Sequence, residues 1–187
     1  MLLNAFAALS LLSAQAQTPA QVFVPEDTIP LVDCAKTAGT AFRIGPHLLL
    51  SVNHVSGGIA CMISGQPIHV AYKSKKLDFS ELSDDRSGPW LKVDCAGFVK
   101  GREYIAIGHA RGLDALAKVA LLATGKYDDG LSRLTGVFTV QPGQSGGPII
   151  DAETGAVVGT VNAAEWETGI TLSVELKGTA VCAGNGA

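Results

Sequence analysis

The sequence is poor in charge and has no excess of positive charge. Only 17% of its 187 residues are charged, and 14 Lys and Arg against 17 Asp and Glu give a net charge of -3. A surface of this kind offers no broad basic field to a phosphate backbone, so we expect no nucleic-acid binding. Hydrophobic residues still make up 47% of the chain, which is enough to form the core of a globular domain.

Cysteine is scarce as well. Four cysteines are too few to hold a mini-protein together, but an even number fits two disulfides in an oxidising compartment. Their positions in the sequence leave three pairings open. Because the chain has no clustered Cys/His or carboxylate spacing of the kind that binds a catalytic metal, we expect neither a metal nor a cofactor.

The N-terminus carries the pattern of an export signal. Residues 2–12 are an apolar run too short to span a bilayer, and Ala14-Gln15-Ala16 follows as a small-x-small cleavage pattern. We therefore predict a signal peptide over 1–16 and a secreted or periplasmic protein with no membrane attachment after its removal. The run lacks a preceding Lys or Arg, so a frayed apolar N-terminus is the alternative. Residues 17–35 are predicted to be an N-terminal lead-in segment, and the proline-containing part over 17–31 is predicted to be exposed.

Short β-rich runs between glycine and proline turns dominate the rest of the chain. About a dozen such runs and no long helix-period stretch predict an antiparallel all-β barrel or sandwich. The only helical signals lie in the tail around 172–182 and near 112–118. The polar stretch 84–89 is the candidate link between two halves. Strands are predicted near 40–44, 47–52, 59–63, 67–72, 77–82, 92–99, 103–108, 117–123, 134–140, 147–150, 156–162 and 169–174.

The hexapeptide from Gly143 to Pro148, Gly-Gln-Ser-Gly-Gly-Pro, is the most informative motif. Glycines on both sides allow a tight turn that presents the Ser145 hydroxyl and leaves nearby N–H groups free to converge. The alternative is a simple hairpin turn. All four histidines precede Ser145, whereas the α/β-hydrolase nucleophile elbow requires a histidine after the serine, so that class is excluded by order.

His54 and Asp78 are the candidate partners of Ser145. His54 follows the apolar run Leu48-Leu49-Leu50-Ser51-Val52-Asn53 and precedes a glycine turn, which places an imidazole at the end of a buried strand. Asp78 lies between Leu77 and Phe79, an apolar setting that is costly for a carboxylate unless its charge is used. Its natural use is to accept the Nδ1–H of a histidine. The remaining histidines, His47, His69 and His109, are interpreted as surface or structural residues.

Together with Gly39-Thr40-Ala41-Phe42, these motifs resemble the chymotrypsin-like serine proteases over about residues 36–181, and most of all the compact bacterial branch near the protease domain of HtrA-type enzymes. The resemblance implies two antiparallel six-stranded β-barrels and a short C-terminal helix. It places the protease domain at 36–187, with the first barrel at about 36–85 and the second at about 92–175. The implied activity is hydrolysis of peptide bonds in a polypeptide substrate by a monomer.

The resemblance also implies roles for individual residues. Ser145 is the nucleophile, His54 the base and Asp78 the orienting acid, while the N–H groups of Gly143 and Ser145 form an oxyanion hole. The disulfides implied are Cys34–Cys61 and Cys95–Cys182. The substrate-binding residues implied are Thr139 at the base of the specificity pocket, Asn162, Ala163 and Ala164 along the substrate backbone, and Gly169 behind the pocket. Thr139 in place of an acid speaks against cleavage after Arg or Lys and favours small or medium side chains.

Two departures from the family pattern keep other functions open. Asn53 stands where a small apolar residue is usual, and Gln144 replaces the acid that pairs with a newly cleaved N-terminus in many relatives. The main alternative is a catalytically inactive homologue that acts as a binding module. A third candidate is an all-β adhesion or carbohydrate-binding domain, in which the Ser145 motif would be only a turn.

Overall fold

A computed structural model describes residues 22–58, 60–126 and 130–183 of the chain. Strands dominate, and the helices are single turns: α1 (Asn53–Ser56), α2 (Ala180–Ala183) and short 3-10 turns at Glu26–Thr28, Ala110–Gly112 and Leu176–Gly178. No helix within the described part of the chain is long and apolar enough to cross a membrane. The predicted signal peptide lies outside the described residues.

The first half of the chain forms two four-stranded antiparallel sheets. One has the order β2-β1-β5-β6 and the other the order β3-β4-β8-β7. The strands are β1 (Leu31–Cys34), β2 (Thr37–Thr40), β3 (Phe42–Arg43), β4 (Leu48–Ser51), β5 (Met62–Ile63), β6 (Gln66–Pro67), β7 (His69–Lys73) and β8 (Ser80–Ser83).

The second half is a closed six-stranded antiparallel barrel with the order β10-β11-β14-β13-β12-β9. Alternation in the sequence decides which face is inside: Val119, Leu121 and Ala123 of β10 are buried, while Lys118 and Leu122 on the opposite face are exposed. The strands are β9 (Glu103–Gly108), β10 (Ala117–Lys126), β11 (Ser132–Thr135), β12 (Pro148–Asp151), β13 (Val157–Glu165) and β14 (Ile170–Glu175).

The all-β class and one six-stranded barrel agree with the sequence prediction, but a second closed barrel is not shown. The described strands of the first half are two to five residues long and stay in two separate sheets. The strand predicted near 92–99 is also wrong. Only Val93 pairs there, in a single bridge with Val157, because the Asp94 carboxylate accepts the N–H of Ala96 at 2.8 Å and starts a turn.

The two halves share one hydrophobic core. Phe42 and Phe79 from the first half and Ile107 and Ile150 from the second belong to the same buried cluster, and each is fully shielded from water. Burial of a side chain of this size contributes about 2 kcal/mol. This shared core fixes the two halves side by side, so residues from both can meet at one cleft.

The segment that joins the halves is fastened by a buried ion pair. Asp84 follows β8 and receives hydrogen bonds from Arg43 Nη2 at 2.8 Å and Arg86 Nε at 2.9 Å. Burial alone would raise the pKa of Asp84, but the hydrogen bonds from Arg86 and Arg43 outweigh burial and lower that pKa to about 2. The start of the polar stretch 84–89 is therefore fixed to β3 through Arg43.

Two disulfides cross-link the chain, one in each half. Cys34 of β1 is bonded to Cys61, and Cys95 is bonded to Cys182 of α2. These are the pairs that the family resemblance implies. The second disulfide joins the chain ahead of β9 to the helix that follows β14, so it spans the whole closed barrel.

Candidate active site

His54 and Asp78 lie in direct contact. The Asp78 carboxylate accepts the His54 backbone N–H at 3.0 Å through Oδ1 and the ring Nδ1–H through Oδ2. Because a carboxylate only accepts, this contact places the proton on Nδ1 and leaves Nε2 as the free basic nitrogen. The His54 side chain is 48% exposed, so the ring faces an open cleft.

The Asp78 carboxyl is kept ionised by its neighbours. Burial alone would raise the pKa of Asp78, but the hydrogen bonds and charge of His54, together with a hydrogen bond from Asn162, outweigh burial and lower that pKa. A carboxylate of this kind orients the imidazole and stabilises its protonated form.

Asn53 supports this pair from the preceding position. Its Nδ2 donates to the carbonyl oxygens of Ser74 at 3.2 Å and Leu77 at 3.1 Å. Both carbonyls belong to the loop that leads into Asp78. Asn53 therefore holds this loop next to His54. The departure from the family pattern at Asn53 thus positions the loop of Asp78.

Ser145 lies on a tight turn that leads into β12. Its carbonyl accepts the N–H of Thr40 at 2.8 Å, and the next N–H, of Gly146, donates to the carbonyl of Val161 at 2.8 Å. Gly146 has φ +85°, and a Cβ there would collide with the carbonyl of Thr40. Glycine is therefore required where the turn passes this close to the first half of the chain.

The turn ahead of Ser145 is held by a hydrogen bond from Thr40. Gly143 has φ +90°, and its carbonyl is turned away to accept the Thr40 hydroxyl at 2.7 Å. Within the described ranges, neither Gly143 nor Ser145 has a hydrogen-bond acceptor for its backbone N–H. Two backbone donors beside the Ser145 hydroxyl are therefore without an acceptor among the described residues.

The side chain of Gln144 ties this turn to the backbone of neighbouring segments. Its side chain is fully buried, with Oε1 accepting the N–H of Gln141 at 2.8 Å and Nε2 donating to the carbonyl of Ala117 at 3.1 Å. Both ends of the neutral amide are thus satisfied by the backbone. The residue needs no charged partner in this conformation.

Asn162 joins the two halves of the site. Its carbonyl accepts the Ser145 hydroxyl at 3.2 Å, and its Nδ2 donates to Asp78 Oδ2 at 2.9 Å. The pairing of β13 with β14 shifts register between Val161 and Ala163, and a bulge of this kind redirects a side chain. Ser145, Asp78 and His54 are thereby brought to one cleft. The Ser145 hydroxyl bonds to Asn162 here, and the described residues include no hydrogen bond between Ser145 and His54.

The other predicted substrate-binding residues lie on β13, on the turn after β13 and in the segment ahead of Ser145. Ala163 and Ala164 pair with Leu172 and Thr171 across the ladder, and Gly169 closes the turn between β13 and β14 with φ +69°. Thr139 is half-buried, and its Oγ1 has no partner among the described residues.

Two contacts beside the site have no signal in the sequence. The hydroxyl of Thr40 donates to the carbonyl of Gly143 and accepts the N–H of His109 at 2.9 Å. The imidazole of His109 is buried, with its ring nitrogens 2.8 Å from the carbonyl oxygens of Ile29 and Leu113. His109 is therefore a structural residue that ties the lead-in segment to the turn beside the site.

Comparison with known proteins identifies the fold that holds this geometry. No family model and no curated protein matches the chain. Solved structures do. The Rv3671c protease from M. tuberculosis in its active form has a TM-score of 0.65 and 19% identity, over 94% of this chain and 89% of that one. The chain has the trypsin-like serine protease fold.

Further solved structures with this fold resemble the chain in the same way. The HtrA-type protease AlgW with a tripeptide has a TM-score of 0.67 and 20% identity, over 80% of this chain and 56% of that one. The serine endoprotease from Yersinia pestis has a TM-score of 0.68 and 15% identity, over 79% of this chain and 58% of that one. The chain thus spans little more than half the length of these two proteins. The predicted resemblance to HtrA-type protease domains is confirmed at the level of the fold.

Proposed function

We propose that the protein is a serine endopeptidase. The observation that carries the proposal is the contact chain in which Asn162 bonds to both Ser145 and Asp78, while Asp78 holds His54. A serine, a histidine and a carboxylate in one cleft, beside two free N–H groups, are the parts that acyl transfer needs.

In the proposed mechanism, the Ser145 hydroxyl leaves Asn162 and donates to His54 Nε2 when a peptide carbonyl enters the cleft. Oγ attacks the carbonyl carbon and His54 takes the proton, which it then gives to the leaving amine. Water repeats the sequence on the acyl-enzyme. The N–H groups of Gly143 and Ser145 stabilise the oxyanion, at about 3 kcal/mol for each donor. Asp78 keeps the ring oriented and stabilises the imidazolium.

The proposed substrate is a polypeptide, which is supported by the similarity to the HtrA-type protease AlgW with a tripeptide. We assign its backbone to Asn162, Ala163 and Ala164 on β13, and its specificity pocket to Thr139 and Gly169. Thr139 supplies an uncharged hydroxyl at the pocket base, which favours small or medium side chains over Arg and Lys.

We further propose export of the protein, with a signal peptide at 1–16 and the protease domain at 36–187. Two disulfides and no free cysteine among the described residues are consistent with an oxidising compartment. Mass measurement of the N-terminus of the exported protein tests the cleavage after Ala16.

One observation favours the second candidate function, an inactive homologue that binds peptides. The Ser145 hydroxyl donates to Asn162 and not to His54, as it would if the serine were never activated. A fluorophosphonate probe separates the two functions, because it labels only an activated serine. We expect labelling of the wild type, none of Ser145→Ala, and at least a roughly thousandfold slower labelling of His54→Ala. An unlabelled wild type that is folded would favour the binding module.

A further inference from the structure

Five lysines lie around one groove, which we call the lysine groove: Lys73, Lys75, Lys76, Lys126 and Lys177. They are five of the 14 Lys and Arg residues in a chain with a net charge of -3. Glu175 is the single carboxylate among the described residues that line it. Positive charge is therefore concentrated here against the balance of the whole chain.

The groove begins at the loop that carries Asp78. Leu77, the residue before Asp78, lines one wall together with the lysines at the end of β7, and the ends of β10 and β14 form the other wall. Both halves of the protein thus contribute to the lining of the groove, and Leu77 links the groove to Asp78 along the chain. Its volume is about 680 Å³, within the range of clefts that bind ligands.

Only one of the five groove lysines has an ion pair among the described residues. Lys126 Nζ is bonded to Glu175 Oε2 at 2.8 Å, and Glu175 is buried and also accepts the Ser132 hydroxyl at 2.7 Å. The Lys126–Glu175 pair therefore belongs to the wall of the groove. In the part of the chain that the structure describes, Lys75 and Lys177 have no carboxylate partner.

Lys73 and Lys76 complete the unpaired set. Lys73 Nζ donates only to the carbonyl of Gly57, at 3.4 Å, and Lys76 has no ion pair with any described residue. Both side chains are exposed, so their ammonium groups are free to meet a ligand. Among the residues that the structure describes, four of the five groove lysines therefore have no ion pair.

We propose that the lysine groove binds an acidic segment of the polypeptide substrate next to the scissile bond. The inference rests on the proposed function and names the substrate class. An extended chain that leaves the cleft past Asp78 enters the groove along Leu77, and its carboxylates meet the free ammonium groups there. All the cationic side chains of the described lining are lysines, point charges suited to single carboxylates rather than to bidentate phosphate binding by Arg.

Binding is tested without turnover on the Ser145→Ala variant. The probes are two fluorescein-labelled hexapeptides, one of Glu and one of Gln, followed by fluorescence anisotropy. We expect the Glu peptide to bind about tenfold more tightly than the Gln peptide, and the difference to vanish at about 0.5 M NaCl. Equal binding of the two peptides at low salt would overturn the proposal.

A charge-matched pair of variants locates the effect. In the Ser145→Ala background, Lys75→Glu with Lys76→Glu should remove the preference for the Glu peptide. Lys92→Glu with Lys100→Glu changes the net charge equally but lies outside the groove lining, so it should retain the preference. Equal losses in both double variants would show a general charge effect and refute the groove. Tighter binding of a single-stranded oligonucleotide of equal charge than of the Glu peptide would also refute it.

Turnover separates the failure of this proposal from the failure of the proposed function. Two fluorogenic peptides share one cleavable core and carry either three Glu or three Gln beside it. The wild type should cleave the Glu peptide with the higher kcat/KM, and Lys75→Glu with Lys76→Glu should abolish the advantage while it leaves cleavage of the Gln peptide unchanged. If neither peptide is cleaved and the probe does not label Ser145, the protease proposal fails and the anisotropy result alone decides the groove.

Discussion

Replacement of Asp84 by asparagine tests how the joining segment is held. Asp84 is buried and bonded to Arg43 and Arg86, and Arg43 Nη1 also donates to the carbonyl of Arg86 at 2.9 Å. The substitution Asp84→Asn would keep the size of the side chain and remove its charge. The variant therefore measures the contribution of the carboxylate with little change in packing.

The magnitude follows from the pKa of Asp84, which falls from 3.8 to about 2 on folding. At 1.36 kcal/mol for each pH unit, this fall corresponds to about 2.5 kcal/mol of stability at neutral pH. Because the pKa is lower in the folded protein, the contribution is complete above pH 3.8. It is lost as the pH falls through about 2, where the carboxyl becomes protonated in the folded state as well.

The assay is urea unfolding of the wild type and Asp84→Asn at pH 7 and at the lowest pH at which both fold. We expect the variant to be less stable by about 2.5 kcal/mol at pH 7 and the difference to shrink steadily below about pH 4. Other carboxyls titrate in both proteins, so their effects cancel in the difference. A difference that stays constant with pH would refute the reasoning, because it would show that the ionised form of Asp84 is not the stabilising species.

Two further predictions concern the cleft and the disulfides. Asn162→Ala should raise the pKa of the Asp78 carboxyl, measurable by NMR, and lower kcat/KM about tenfold, since a hydrogen bond to a charged group is lost; lower activity with an unchanged Asp78 pKa would contradict this positioning role. Replacement of both Cys95 and Cys182 by Ser should destabilise the protein by about 4.5 kcal/mol, because this disulfide closes a loop of 87 residues. The same replacement of Cys34 and Cys61 should cost about 3.5 kcal/mol, because their loop has only 27 residues. Urea midpoints of the two double variants in the opposite order would contradict the loop-length argument.

The sequence was sufficient to find the polar residues that meet at the cleft. His54 and Asp78 each interrupt or end an apolar run. A polar side chain in an apolar setting is costly, so its presence indicates a functional role. Ser145 lies in a segment with Gly143, Gly146 and Gly147, a composition that indicates a tight turn. These local signals identify candidate residues without any knowledge of how the strands pair.

The contacts that depend on the pairing of distant strands could not be predicted in this way. The side chain of Asn162 reaches Asp78 because of a bulge in β13, and a bulge is set by the register of β14 rather than by the residues around Asn162. Asp84 has the sequence environment of a solvated turn, but in the structure it is buried and paired with Arg43 of the distant strand β3. The separate sheets of the first half also depend on the pairing of distant strands, such as β1 with β5 and β4 with β8.

The bond between Cys95 and Cys182 makes the second half a covalent ring. A single cut in any loop between these two cysteines would therefore leave both fragments attached. Such a nicked molecule would migrate as one species until a reductant separated its parts. It would also keep Ser145 tethered to the rest of the barrel after the backbone had been broken.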